Sequence, residues 1–383
     1  MNPKSHKFNL KTNYSMSKKL FSLSFIQVAI LAAGLIFIQS CKPGDDGPQY
    51  DVPTTYNFTN VSYSGQTTRL DMMGELVTYV KSANPGGVVL DAQKMKDMFA
   101  NENSQFAVAE LNTSGKQLKN KCFAADVAYY EGLFDAAALA SQSGATGSDG
   151  VAGIVTSSTD ATKKYLQSEN GLEYAQIIEK GLMGAILYYQ AVGHYLTEDE
   201  IGDAVDNTTV TAGEGTPMEH HWDEAFGYFG VPIDFPANTT GSRYWGKYSN
   251  EMNTVLNTNT VIMNAFLKGR AAISNKDLET KNQQLVIVRE NWERIAAGTA
   301  IHYLNEAKEA IGNDAVRNHT LSECLGFLKA LQYNPEKKIT STELQQVIDH
   351  IGDNFYQVTL TDLDNARNLL STIYGMDSIK DTL

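Results

Sequence analysis

Leu172-Glu173-Tyr174-Ala175-Gln176-Ile177-Ile178-Glu179-Lys180-Gly181-Leu182-Met183-Gly184-Ala185-Ile186-Leu187-Tyr188-Tyr189-Gln190-Ala191-Val192-Gly193-His194-Tyr195-Leu196 reads as one long helix. Tyr174, Ile177, Ile178, Leu182, Ile186 and Tyr189 recur three and four positions apart, which gives a broad apolar stripe on one face. The same period extends in both directions. Upstream, Leu70, Met73, Leu76, Val77 and Val80 mark a helix from about Gln66 that Asn84-Pro85-Gly86-Gly87 breaks. Asp91 caps a short helix through Ala100. An alanine-rich helical segment runs from about Ser114 to Gln142, and the glycine- and serine-rich stretch 143–158 reads as a loop. Downstream, Thr197-Glu198-Asp199-Glu200 opens a short helix. Helices follow over Asn250–Ser274, Asp277–Ile311 and Ala315–Gln332, and two more over 340–351 and 361–374 begin on threonine caps. No alternating strand pattern appears. The pattern predicts an all-α fold of two packed helical bundles, with parts at 66–212 and 213–383. The echo of Gly193-His194-Tyr195-Leu196-Thr197-Glu198 in Ile301-His302-Tyr303-Leu304-Asn305-Glu306 suggests an internal duplication.

The first forty residues read as an address. Lys4, Lys7, Lys11, Lys18 and Lys19 precede an apolar run, Leu20 to Ile38, that ends at Gln39-Ser40-Cys41. A cysteine at that boundary marks a lipoprotein signal, with Cys41 as the lipidated residue and 41–65 as tether and extended leader. The expected location is the outer membrane, on its periplasmic or surface-exposed face. The chain of 383 residues carries a formal charge of −13, which disfavours nucleic acid as a partner and is compatible with collecting cations. Cys122 and Cys324 either pair or stay as separate buried thiols, and their apolar settings favour burial.

The densest set of polar ligands is Glu219-His220-His221-Trp222-Asp223-Glu224-Ala225-Phe226-Gly227-Tyr228-Phe229-Gly230, which holds two of the seven histidines. On a helix His221 and Glu224 share a face, whereas His220 points ~100° away. Glu219 and Asp223 form a second acidic edge. His319 and Glu323 are four apart on a later helix. The echoed His194 and His302 each have a glutamate four positions on. Carboxylates and imidazoles on facing helices are how bundles build metal sites, and a donor set without thiolate suits iron, zinc or manganese. His221, Glu224, His319 and Glu323 are therefore the candidate metal ligands, with Glu219, His220, Asp223, His194 and His302 as supporting or alternative ones. His194 and His302 can equally satisfy carbonyls at helix ends. The segment Arg243-Tyr244-Trp245-Gly246-Lys247-Tyr248 either binds an anionic or sugar-like ligand through Arg243, Trp245 and Lys247 or packs as a lid. No zincin motif, nucleophile elbow, phosphate loop or dinucleotide fingerprint is present.

The Glu219–Gly230 motif, the Arg243–Tyr248 segment and His319-Thr320-Leu321-Ser322-Glu323-Cys324-Leu325-Gly326-Phe327 together resemble the imelysin-related lipoproteins of Gram-negative bacteria. That resemblance implies a two-bundle helical fold with a Gly-x-His-x-x-Glu motif, in which His221 and Glu224 fill the His and Glu positions and Glu219 stands where the glycine is expected. It also implies two activities, iron acquisition and a peptidase-like reaction. The expected function is a lipid-anchored cell-envelope binding protein for iron or another metal such as zinc, working with an envelope uptake partner. A metallopeptidase using Glu224 as base and a structural or interaction lipoprotein without ligand are the alternatives.

Overall fold

A computed structural model of the chain describes residues 50–383. The expected signal segment and Cys41, the expected lipidation site, lie outside the described residues. From there on the chain is built from α1 (Ser64–Lys81), α2 (Ala92–Ala100), α3 (Ala109–Asn112) and α4 (Val127–Gln142), a hairpin of β1 (Gly153–Thr156) and β2 (Lys164–Gln167), then α5 (Tyr174–Leu182), α6 (Glu198–Ile201), α7 (Pro217–Phe229), α8 (Trp245–Leu256), α9 (Thr258–Ser274), α10 (Leu278–Glu309), α11 (Asp314–Ala330), α12 (Ser341–Ile351) and α13 (Leu360–Tyr374). The all-α expectation holds, and the hairpin is the one departure in class among these residues.

Local chemistry sets most boundaries. Asp91 accepts from the backbone N–H of Gln93 and Lys94, and α2 closes on the left-handed Asn101. Thr216 and Glu219 form a reciprocal capping box with Pro217 at the first turn of α7, and Thr340 and Glu343 do the same for α12. The cap of α13 is Thr359, paired with Asp362, rather than Thr361. The single helix expected over Asn250–Ser274 is two, because Asn257 adopts φ 55° between α8 and α9, and α8 starts earlier, at Trp245.

The helix expected from Ser114 is regular only from Val127. Upstream of it the chain makes two short 3-10 turns, Lys119–Lys121 and Ala124–Asp126, and between them Phe123 donates its N–H to Ala185 O at 2.8 Å, so a bond to a neighbouring element interrupts the helix. In the predicted loop, Gly153–Thr156 pairs antiparallel with Lys164–Gln167, Ile154 opposite Leu166; four-residue strands are too short to show a period. The Leu172–Leu196 segment is one rod, but past Leu182 it becomes π-helical over Met183–Tyr188 and Ala191–Tyr195. Close approach accompanies this change: a Cβ on Gly184 would stand 3.0 Å from Ala330, and one on Gly193 would stand 2.4 Å from the Tyr333 carbonyl oxygen.

Helix α10 is the central spar, packed on α8, α9, α11 and α13, while α11 packs on α5 and α7 on α1. Its Trp292 sits in an aromatic core, 4.9 Å from the Phe229 ring and 6.1 Å from that of Trp245; Trp222, Trp245 and Trp292 are all fully buried. Helices from before and after residue 212 share this core, and no seam divides the described residues there. The two copies of the His-Tyr-Leu echo occupy unlike settings, a π turn for His194 and a regular α turn for His302. No helix among the described residues is long and apolar enough to cross a membrane.

Candidate functional site: two histidine–carboxylate clusters

The α7 motif does not assemble as its spacing suggests. His221 turns toward α6, where its Nδ1 lies 2.6 Å from the Glu200 carbonyl oxygen and 3.2 Å from the Glu200 carboxylate. Glu224 turns toward α1, accepts from Gln66 Nε2 at 2.6 Å, and faces His220 Nε2 at 3.8 Å. Residues three apart on a helix diverge by about 60°, and here a different neighbouring helix takes each of them. The pairing on α7 is His220 with Glu224, and His221 belongs to Glu200.

Glu200 is the residue the sequence did not single out. Its carboxylate also lies 3.4 Å from His194 Nδ1, so two imidazoles meet across one acid. The π turn Ala191–Tyr195 presents both His194 and Tyr195 here, as π-helical segments frequently do at functional sites. Lys121 donates to the Tyr195 hydroxyl at 2.9 Å. Burial, and then Arg69, hold the Lys121 ammonium below its ordinary pKa. Nothing in local spacing could have found Glu200 or Lys121, since tertiary packing alone brings them to α7.

Glu219 and Asp223 serve the interior. Arg270, fully buried, donates through Nε to Asp223 at 2.8 Å and through Nη1 to Glu219 at 2.7 Å. Tyr56 donates to Asp223 at 2.8 Å and Ser274 to Glu219 at 2.7 Å. Burial pushes Asp223 up to about 6, against the pull of Arg270 and its hydrogen bonds. These two acids neutralise a buried guanidinium and are not available as ligands.

The second cluster lies where α11 meets α5 and the hairpin. His319 sets Nδ1 2.5 Å from Glu173, a fully buried carboxylate that also accepts from Asn84 at 2.9 Å. Its Nε2 faces Glu323 at 3.5 Å, one turn along α11, and its ring stacks on Tyr165 with centroids 4.3 Å apart. Glu323 lies 3.4 Å from Lys180, which also reaches Glu179 at 3.1 Å. Against the cost of burial, Glu173 and then Glu323 raise the His319 pKa above the ordinary imidazole value. His319 opens on a cleft of about 440 Å³ lined also by Lys163, Glu306 and Glu309. Glu306 forms an i,i+4 pair with His302 at 3.4 Å.

Among the described residues no three His, Cys, Asp or Glu side chains converge as a ready metal site. The two clusters differ in how they would accept one. His221 and His319 both donate Nδ1 to an oxygen, which leaves Nε2 as the metal-binding nitrogen in each, but among the described residues no carboxylate pairs with the His221 Nε2. In the Glu173–His319–Glu323 line, one ring nitrogen is held by a carboxylate while the other faces a second carboxylate, the arrangement by which proteins orient metal-binding imidazoles. The His319 and Glu323 pair keeps its expected geometry; the His221 and Glu224 pair does not.

The Arg243–Tyr248 segment is a staple rather than a ligand loop. Trp245 is fully buried and donates its indole N–H to Met183 O at 3.0 Å; Arg243 pairs with Asp71. Lys247 stays at the surface beside Glu251 at 3.4 Å. Cys122 and Cys324 are separate, buried thiols, and burial pushes Cys122 up to about 12.

A helical protein with two buried-edge histidine–carboxylate clusters is the class these observations define. The chain belongs to the family DUF4856, a domain of unknown function, which it matches over residues 53–377. No curated protein and no solved structure matches it.

Proposed function

We propose that this is a lipid-anchored binding protein of the bacterial cell envelope, held to the outer membrane through Cys41, that takes up a divalent metal at His319 and Glu323. Iron is the leading cargo, with zinc and manganese sharing its preference for nitrogen and oxygen donors. The observation that carries this reading is the Glu173–His319–Glu323 line at the cleft. Glu173 fixes the ring and makes Nε2 the ligand nitrogen; Glu323 supplies the oxygen; water completes the set. Metal would replace the proton that His319 now shares with its acids, so affinity should rise with pH. The resemblance to imelysin-like proteins and their link to iron supports iron as the cargo, while the choice of His319 and Glu323 rests on the geometry at the cleft.

Calorimetric titration with Zn²⁺, Mn²⁺ and Fe²⁺ tests this. His319→Ala should abolish binding, and Glu173→Gln should weaken it by roughly 10–100-fold through the loss of ring orientation. His221→Ala should leave it unchanged. Absence of binding by all three ions, or loss of binding on His221→Ala but not on His319→Ala, would overturn the assignment.

A further inference from the structure

We propose that Glu306, on α10, is a third protein ligand of the α11 metal site and the residue that sets its relative preference for Mn²⁺ over Zn²⁺. The inference rests on His319 and Glu323 being the first two ligands, and it places a carboxylate from the facing helix where one of the waters would otherwise stand.

Helices α10 and α11 form an antiparallel helical hairpin across the short connection 310–313. Cys324 Sγ donates to Ala300 O at 3.4 Å, which sets their register. Six residues on from each, toward the connection, Glu306 comes level with Asn318, the neighbour of His319. Glu309 comes level with Ala315, more than a turn short of His319. Glu306 and Glu309 on α10, and Val316, His319 and Thr320 on α11, each follow the three-and-four spacing of one helix face. Both rows line the same cleft of about 440 Å³. The hairpin thus turns an acid of one helix and the imidazole of the other into one space, the arrangement from which bundles build metal sites.

Among the described residues three ligands do not converge before a metal arrives, so the third must come from a side chain with room to turn. Glu173 has none: it is fully buried and held by Asn84 and His319. Glu306 is half-exposed, and its one ion pair among the described residues is with His302 at 3.4 Å. Leaving that pair breaks no buried ion pair, so the turn is cheap. The site already acts on this acid. The His302 hydrogen bond, and then the charges of His302, His319 and Lys163, hold the Glu306 carboxyl below its ordinary pKa against the effect of burial. A second carboxylate hardens the donor set: carboxylate and water suit manganese, whereas imidazole suits zinc.

Calorimetric titration of the full chain with Mn²⁺ and with Zn²⁺, for the parent and for Glu306→Gln, decides it. Glu306→Gln should weaken Mn²⁺ binding by at least about tenfold and Zn²⁺ binding by clearly less, so that the ratio of the two affinities shifts toward zinc. A role confined to holding His302 or the hairpin would move both ions alike. Glu309→Gln, on the same wall, should leave the ratio where it is. A cooperative melt of the metal-free variant shows that it is folded. Equal losses for the two ions, an unchanged Mn²⁺ affinity, or a larger effect of Glu309→Gln would each overturn the assignment of Glu306. If His319→Ala still abolished binding, the metal site itself would stand. No binding of either ion by the parent would remove the site, and this inference with it.

Discussion

Replacing Arg270 with methionine should destabilise the protein by about 3–5 kcal/mol, the usual cost of removing one partner from a buried ion pair. The upper half of that range is expected, because Arg270 is fully buried and serves two acids, with Asp223 fully buried and Glu219 nearly so. Near the transition, unfolding entropy runs at ~2.1 cal/mol/K per residue, or roughly 0.7 kcal/mol/K for about 330 residues, so the melting temperature should fall by about 4–7 °C. A pH arm isolates the cause. Asp223 already sits near about 6 with Arg270 beside it, and loses its counter-charge in the variant. With its folded pKa above the unfolded ~3.9, the native state binds the extra proton, and stability falls as pH rises through the folded value. The variant should therefore lose less against the parent at pH 5 than at pH 8. Asp223→Asn in the Arg270→Met background should recover part of the loss. Calorimetric melts at both pH values are the assay. A melting temperature within about 1 °C of the parent, or a larger deficit at pH 5, would refute the reasoning.

Further outcomes follow from other contacts. His302 titrates above the ordinary value, chiefly through its bond to Glu306, so Glu306→Gln should bring its NMR titration back toward ~6.5. The stability this pair contributes is present below ~6.5 and lost as pH rises through the folded pKa, and it should be missing from the variant. Gly269→Ala would put a Cβ 2.1 Å from the Trp222 ring and should cost about 1–3 kcal/mol or more in urea melts, as overpacking does. Cys122 and Cys324 should resist a thiol reagent in the native protein and react together on unfolding.

The helices were legible because their apolar period and caps are local. Asp91 and Thr340 announce their helix starts within four residues. What escaped was decided at a distance. The Ser114 segment breaks into short 3-10 turns where Phe123 bonds to Ala185, and Asn257 breaks a helix whose apolar pattern runs on. The site divides in the same way. His319 and Glu323 lie on one helix face and were found by spacing, whereas Glu173 comes from 146 residues away. His221 and Glu224 had equally good spacing, but Glu200 and Gln66 drew them apart. Spacing within a helix fixes direction; the neighbouring element fixes the partner.

The π turns at Met183–Tyr188 and Ala191–Tyr195 have a consequence for the family's history. A π turn holds one residue more than the α turn it replaces, so it reads as the trace of a single-codon insertion. Removing one residue from Ala191–Tyr195 would let the rod continue as a plain helix and would turn everything beyond it by ~100° about the axis. Tyr195 would swing away from Lys121, and His194 with Glu200 away from His221, with no substitution at any of the five positions. In members of the family, a one-residue gap here would therefore mark the loss of this cluster more reliably than the identity of the histidine.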